Sequence, residues 1–500
     1  MSALTFPVVL RSLTHRHCGH CWNSRVELEK SRVPMKKYDL IVVGSGAGMN
    51  VAARAVGHGM KVALVDRGPL GGVCLNRGCI PSKVMLYPAD VIRMAEEAKA
   101  IGVHVKVENV DFDLIMKRLW KIVLDDRHQM EHGVGHSRQL EYFDEDGSFV
   151  SDYTMKVGKQ RITADKIVIA SGARPLIPPI EGLEEVGYLT SATIFDIQEP
   201  PKSLVIVGGG YIAAEFAHFF SAIGTQVTIV GRNPRLLPDE EPEISELLKK
   251  KMSRHCQVHT GYEAVRAENK NGFKAVIATS RSDGQTYEFA GQEILIAAGR
   301  RSNSDILKPE ETGVETDEGS WIKVDPFLGT TKDGIWALGD ATGKHMFRHT
   351  ANYESDAVWQ NAFTGHKHPV DEHAVPHAVF THPQVASVGM TEEQAKKSHE
   401  ILVGVKRYYD VAKGYAMGEE DGFVKVIVEN KTGKILGAHI IGPHAAILVQ
   451  QLVYVMNAEE QNYLPLARAQ TIHPALSEVV VGAFGNLRPV GEHRHEHRHG

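Results

Sequence analysis

Cysteine is scarce: the 500 residues hold five, Cys18, Cys21, Cys74, Cys79 and Cys256. A secreted chain of this length stapled by disulfides would carry more, so a cytoplasmic chain with one special pair is expected. Excess positive charge is missing as well. The formal net charge is −5, which gives no support to a nucleic-acid or anionic-membrane partner, since either needs a basic field. No apolar run reaches the roughly 18 residues required to cross a bilayer. Compositional bias is also lacking. The hydrophobic fraction of 43% and charged fraction of 23% are those of a folded soluble protein, and the length calls for about two to four domains. Glycine, at 47 residues, is slightly abundant, and its grouping carries more than its number.

The two ends differ from the rest. Residues 1–34 show no clear period and contain His15, His17, Cys18, His20 and Cys21. They read as a disordered or non-native upstream extension ahead of Met35, with a metal site as the competing reading. The tail over 490–500 is histidine-rich and reads as disordered.

From Met35 the pattern becomes regular. An apolar strand over 38–43 leads into Gly44-Ser45-Gly46-Ala47-Gly48-Met49, then a helix over 49–58 and a strand over 61–65 ending at Asp66. This is a β-turn-α-β unit. Gly44, Gly46 and Gly48 permit a tight turn and close approach to a pyrophosphate, and the helix start adds N–H groups. Asp66, about twenty residues on, suits both hydroxyls of a ribose. Met49 stands where a third glycine would be, which should hold the helix slightly off the strand. The unit recurs at 203–230, with Gly208, Gly209, Gly210 and Tyr211 in the turn. Here the second strand ends in Gly231-Arg232-Asn233 instead of an acid. Arg232, with Arg235, favours a 2′-phosphate and so leans toward NADP(H) over NAD(H). Strand-plus-glycine elements also precede Gly172, Gly299 and Gly339-Asp340, and a separate α+β unit begins near Pro376.

The block from Gly71 to Lys83 carries the chemistry: Cys74 and Cys79 stand among Gly71, Gly72, Gly78 and Pro81. Two cysteines five apart in an ideal helix differ in height by about 7.5 Å, beyond the roughly 7 Å over which a disulfide reaches. The glycines and proline supply the irregular backbone a redox pair needs, and a helix start should lower the thiol pKa of the pair. Thiol–disulfide exchange also needs a base and acid, and His473 with Glu478 in Ile472–Glu478 fits that role. Cys256 has no partner motif and reads as structural.

These motifs resemble the class I pyridine nucleotide–disulfide oxidoreductases over about 35–489. The resemblance implies an α/β fold of two Rossmann-like nucleotide-binding domains plus a C-terminal α+β dimerisation domain. Residues 35–182 and 305–375 would bind FAD, 183–304 would bind NAD(P), and 376–489 would dimerise. It further implies Cys79 as the flavin-facing thiolate, Cys74 as the thiol that exchanges with substrate, and a Lys83–Glu215 ion pair near the flavin. Tyr211 would cover the nicotinamide face, Asp340 would bind the flavin's ribityl or phosphate groups, and His473 would reach the partner's cysteines in a homodimer.

The block ending Ser82-Lys83 is similar to dihydrolipoyl dehydrogenase, while Trp336–Asp340, His349–Asn352 and Val379–Pro383 are similar to mycothione reductase. With no cysteine after Cys256, a mercuric reductase or large thioredoxin reductase is disfavoured. The expected substrate is a lipoyl arm or small disulfide. Dihydrolipoyl oxidation comes first, NADPH-dependent reduction of a small disulfide second, and a non-catalytic redox sensor or a flavin oxidase last.

Overall fold

Two parallel sheets with one shared strand order make up the body of the chain. The computed structural model describes residues 35–490, so the readings for 1–34 and for the tail from 491 lie outside the described residues. Across the first sheet the order is Ile335–Ala337, Ile167–Ile169, Leu40–Val43, Val62–Val65, Leu140–Phe143. Across the second it is Leu189–Thr190, Glu293–Ile296, Ser203–Val207, Gln226–Gly231, Gln257–Thr260. All these pairings are parallel. The central strands are Val-, Ile- and Leu-rich and buried on both faces, as helix-covered parallel sheets require. The strand Ile335–Ala337 brings Gly339-Asp340 back to the first unit.

The duplication extends to single atoms. Gly44 N donates to Val65 O (2.8 Å) and Gly208 N to Val230 O (2.9 Å). A Cβ on Gly44 or on Gly208 would fall 2.1 Å from a carbonyl oxygen, that of Ala170 or Ala297. Both glycines have positive φ (+99° and +140°), so only glycine suits either place. The expectation for Met49 is overturned. Helix α1 (Gly48–Gly57) begins one residue earlier, and Gly48 is the close-packing residue: a Cβ there would meet Val42 Cγ1 at 2.9 Å. Met49 is half-buried at the edge of the core cluster that covers this sheet. The single strand expected over 38–43 is also two. Met35–Tyr38 pairs with Gln160–Ala164, and Asp39, accepting from Lys61 N at 2.7 Å, marks the change of sheet.

Helix α2 (Gly72–Arg77), helix α3 (Cys79–Glu97) and helix α4 (Phe112–His136) follow. The last two pack against each other. Helix α4 adds to the elements expected from the sequence: Phe112, Ile115, Met116, Leu119 and Val123 are buried at helical spacing, and the Asp111 carboxylate caps Leu114 N at 2.9 Å. Helix α5 (Tyr211–Ala222) opens at the second glycine turn, and helix α6 (Arg348–Trp359) follows Asp340.

Beyond Pro376 lies an antiparallel sheet of six strands, ordered Pro376–Val379, Val385–Gly389, Ile435–Ile441, Phe423–Glu429, Ile401–Arg407, Arg488–Pro489. Helix α7 (Ala445–Met456) and the helix Ser477–Gly485 pack on it. Lys425, in this sheet, is buried and bonded to Glu241 (2.7 Å), Glu243 (2.9 Å) and Glu392 (2.7 Å). That cluster ties the second nucleotide unit to the C-terminal sheet. No helix among the described residues is long and apolar enough to cross a membrane.

Candidate active site

The cysteine pair straddles a break between helices. Helix α2 ends at Arg77, Gly78 adopts φ −150° and ψ −117°, and α3 starts at Cys79. A Cβ on Gly78 would meet Val73 O at 2.9 Å, so the break itself requires glycine. It lets Cys74 and Cys79, both free thiols, hydrogen-bond to each other. Asn76 secures the segment from inside: its buried amide donates to Leu70 O and Gly72 O, each at 2.9 Å, and its Oδ1 accepts from Arg127 NH2 of α4 at 2.8 Å. The sequence of the cysteine block carries no signal for the role of Asn76, which depends on buried carbonyls, and Arg127 comes from α4, 51 residues further along the chain.

The thiols are not equivalent. The hydrogen bond from Cys74 draws Cys79 down from 9.0 to about 7, with help from the Lys83 ammonium and against the effect of burial. The same hydrogen bond, and then burial, push Cys74 far up. The expectation that both thiols are lowered is therefore corrected. Once one sulfur is ionised, its charge opposes a second ionisation beside it.

A cavity of about 500 Å³ adjoins the pair, a size typical of small-molecule sites. Gly44, Gly46, Asp66, Gly172, Arg300 and Asp340 line it together with Cys74, Cys79, Lys83, Tyr211 and Glu215. Lys83 Nζ bonds both oxygens of Glu215 (3.0 and 2.8 Å). Glu215 also accepts from Phe380 N at 3.0 Å, and Lys83 lies 4.5 Å from the Phe380 ring. This small network joins both nucleotide units to the C-terminal one. Asp66 accepts from Ser45 N (2.7 Å) and Ser45 Oγ (2.5 Å), and burial raises its pKa. Tyr211 opens α5 and stacks on Phe347 and His377, with centroids 6.1 and 5.6 Å away. His377 in turn bonds the buried Glu240 at 2.5 Å.

An extended flavin dinucleotide fits these residues. The glycine turn lies open to the cavity, and Ser171 Oγ, on its wall, is buried without a hydrogen-bond partner. The first turn would hold the pyrophosphate, with Asp66 and Asp340 at the polyhydroxy parts.

Some expected contacts lie elsewhere. Gly48 packs behind the turn against Val42 and does not line the cavity. Gly299 is also outside it, and Gly208, Gly210 and Arg232 belong to the second turn. There Gly231 occupies the place that Asp66 holds in the first unit. A Cβ on it would point at Gly209 Cα, 3.5 Å off. Arg232 is exposed, while Arg235 Nε is buried beside this turn without a hydrogen-bond partner. His473 Nδ1 bonds Glu478 Oε1 at 2.9 Å, so this dyad is formed. It lies away from the cysteines, with the His473 side chain 69% exposed. Cys256 is buried, its thiol pushed up to about 12 by burial.

A repeated nucleotide-binding unit with a cysteine pair between two helices defines a class of flavoprotein oxidoreductase. The chain belongs to that class: residues 38–356 match the pyridine nucleotide-disulphide oxidoreductase family, and 375–484 match that family's dimerisation domain. Among its relatives, mycothione reductase of Mycobacterium tuberculosis is 36% identical over 470 residues, covering 91% of this chain and 100% of the relative. Dihydrolipoyl dehydrogenase of Chlorobaculum parvum is 34% identical over 483 residues, covering 93% of this chain and 100% of the relative. Among solved structures, the Cu(II) complex of HOCl-induced flavoprotein disulfide reductase RclA from Escherichia coli superposes with a TM-score of 0.80 at 28% identity, over 90% of this chain and 99% of that one. The family resemblance and the fold class read from the sequence are borne out.

Proposed function

We propose that the protein is a homodimeric, NADPH-dependent reductase of a low-molecular-weight disulfide. The observation that carries this choice within the family is the second turn, where Gly231 replaces a ribose-binding acid and Arg232 and Arg235 offer guanidinium groups. FAD, when bound, would supply a two-electron path between the nicotinamide and the Cys74–Cys79 disulfide; the reduced protein would then carry the pair as dithiol.

His473 of the partner subunit, held by Glu478, takes the proton of Cys74 as the Cys74 sulfur attacks one sulfur of the substrate. The substrate S–S bond breaks, a mixed disulfide forms on Cys74, and the departing thiolate takes that proton back from the same histidine. Cys79, held as thiolate by Lys83, attacks Cys74 Sγ; this closes the Cys74–Cys79 bond and releases the second substrate thiol. Two electrons thus leave the protein dithiol and reduce one disulfide to two thiols. Tyr211 would cover the face where the nicotinamide docks.

Dihydrolipoyl oxidation by the same residues run backwards is the second reading, supported by the Ser82-Lys83 ending and by the dihydrolipoyl dehydrogenase relative. Steady-state assays separate the two. NADPH with a panel of small disulfides should give the highest kcat/KM. A higher value for dihydrolipoamide with NAD+ would select the second reading, and a protein that never binds flavin would remove both.

A further inference from the structure

Arg348 is a cation of the cavity that lacks an anion. The other half-buried basic side chains on its wall are matched: Lys83 to Glu215 at 2.8 Å, Arg174 to Asp305 at 2.5 Å, and Arg300 to Asp340 at 3.6 Å. Arg67 reaches Asp146 at 3.3 Å. Arg77 also stands free but is exposed at the rim. Among the described residues no hydrogen bond or ion pair holds the half-buried Arg348. As the first residue of α6, its backbone is fixed against the cavity by the helix that follows.

Its position over the first glycine turn identifies the missing anion. A Cβ built on Gly46 would lie 3.7 Å from Arg348 NH1, and Gly46 is the glycine whose bare backbone admits a pyrophosphate. The start of α1 contributes only about half an elementary charge against the two charges of that group, and Asp66 and Asp340 on the same wall add negative charge when ionised. One full positive charge at the turn offsets much of this. Cys74, the thiol whose titration Arg348 influences, keeps its proton in the hydrogen bond to Cys79 and so is not the missing anion.

We propose that Arg348 clamps the pyrophosphate of the flavin dinucleotide, making it a cofactor-binding residue in addition to the glycine turn. This inference rests on the FAD reading of the cavity. The test uses full-length apoprotein titrated with FAD, with ADP and adenosine as competitors. Arg348→Ala should weaken FAD and ADP by about 10- to 100-fold, the range for hydrogen bonds to charged groups, and leave adenosine unchanged. Arg348→Lys, which keeps the charge, should recover most of the loss, and added salt should weaken ADP binding to the wild type more than to the Ala variant. Equal affinity of the Ala variant and the wild type for ADP, or an equal loss of ADP and adenosine, overturns the proposal. Failure of wild-type apoprotein to bind FAD would instead defeat the functional reading beneath it.

Discussion

In the reduced protein the Cys74–Cys79 hydrogen bond decides which sulfur keeps its proton. An ordinary thiol titrates near 9.0, and Cys79 is drawn down to about 7, so the thiolate is present above that pH and lost below it. Alkylation of Cys79 by iodoacetamide, followed by mass spectrometry of its peptide, should rise through a midpoint near 7. Cys74→Ala removes the donated hydrogen bond and should move that midpoint upward; an unmoved midpoint contradicts the assignment. The sequence makes the pair legible because glycine and proline flank it. It does not reveal the asymmetry, which depends on a thiol–thiol contact across a helix break. Nor does it reveal Asn76 and Arg127, whose value lies in buried carbonyls far apart in the chain.

Glycine turns and the helices they open set the cofactor geometry, and two substitutions probe them. A side chain at Gly231 would meet Gly209 Cα at an ordinary 3.5 Å, so Gly231→Asp is accommodated. It should shift the NADH-to-NADPH ratio of kcat/KM toward NADH by about tenfold or more, through a new ribose contact and repulsion of a 2′-phosphate. In helix α6, Glu354 is buried and accepts from Gly339 N at 2.5 Å. Burial first, and nearby acids less, raise its pKa from 4.5 to about 7. The native state then holds a proton that the unfolded chain has lost, so stability falls as pH rises from the ordinary carboxyl value through about 7. Glu354→Gln keeps the acceptor without the charge. It should raise stability at pH 8 by on the order of 1–3 kcal/mol, read from thermal melts, with little change at pH 4.5. At this scale the repeated strand–turn–helix unit was plain from the sequence, since its glycines and apolar runs are local signals. The role of Gly48 was not, because it depends on contact with Val42 and Ala170 across the turn.

At the scale of the molecule the exposed His473–Glu478 dyad and the cysteine pair lie apart within one chain, and the chain carries a dimerisation domain. If the dyad serves the partner's cysteines, Cys79→Ser and His473→Ala proteins should each lose turnover. Refolding them together in equal amounts should restore about a quarter of wild-type activity, since half of randomly paired dimers would carry one intact site. No recovery in demonstrably mixed dimers would place the acid–base group elsewhere. The histidine's pairing with Glu478 could be suspected from their spacing, but its distance from the thiols belongs to the tertiary fold. The break at Gly78 has a further consequence for the whole. Because Gly78 divides the block into two helices, Cys74 and Cys79 come from separate axes, and the short segment that carries Cys74 is itself pinned by Asn76. The Lys83–Glu215 tie and the Phe380 N–H contact anchor the Cys79 side in the same way, so the two sulfurs meet from independently braced supports and the bond between them can open and close without recruiting either sheet.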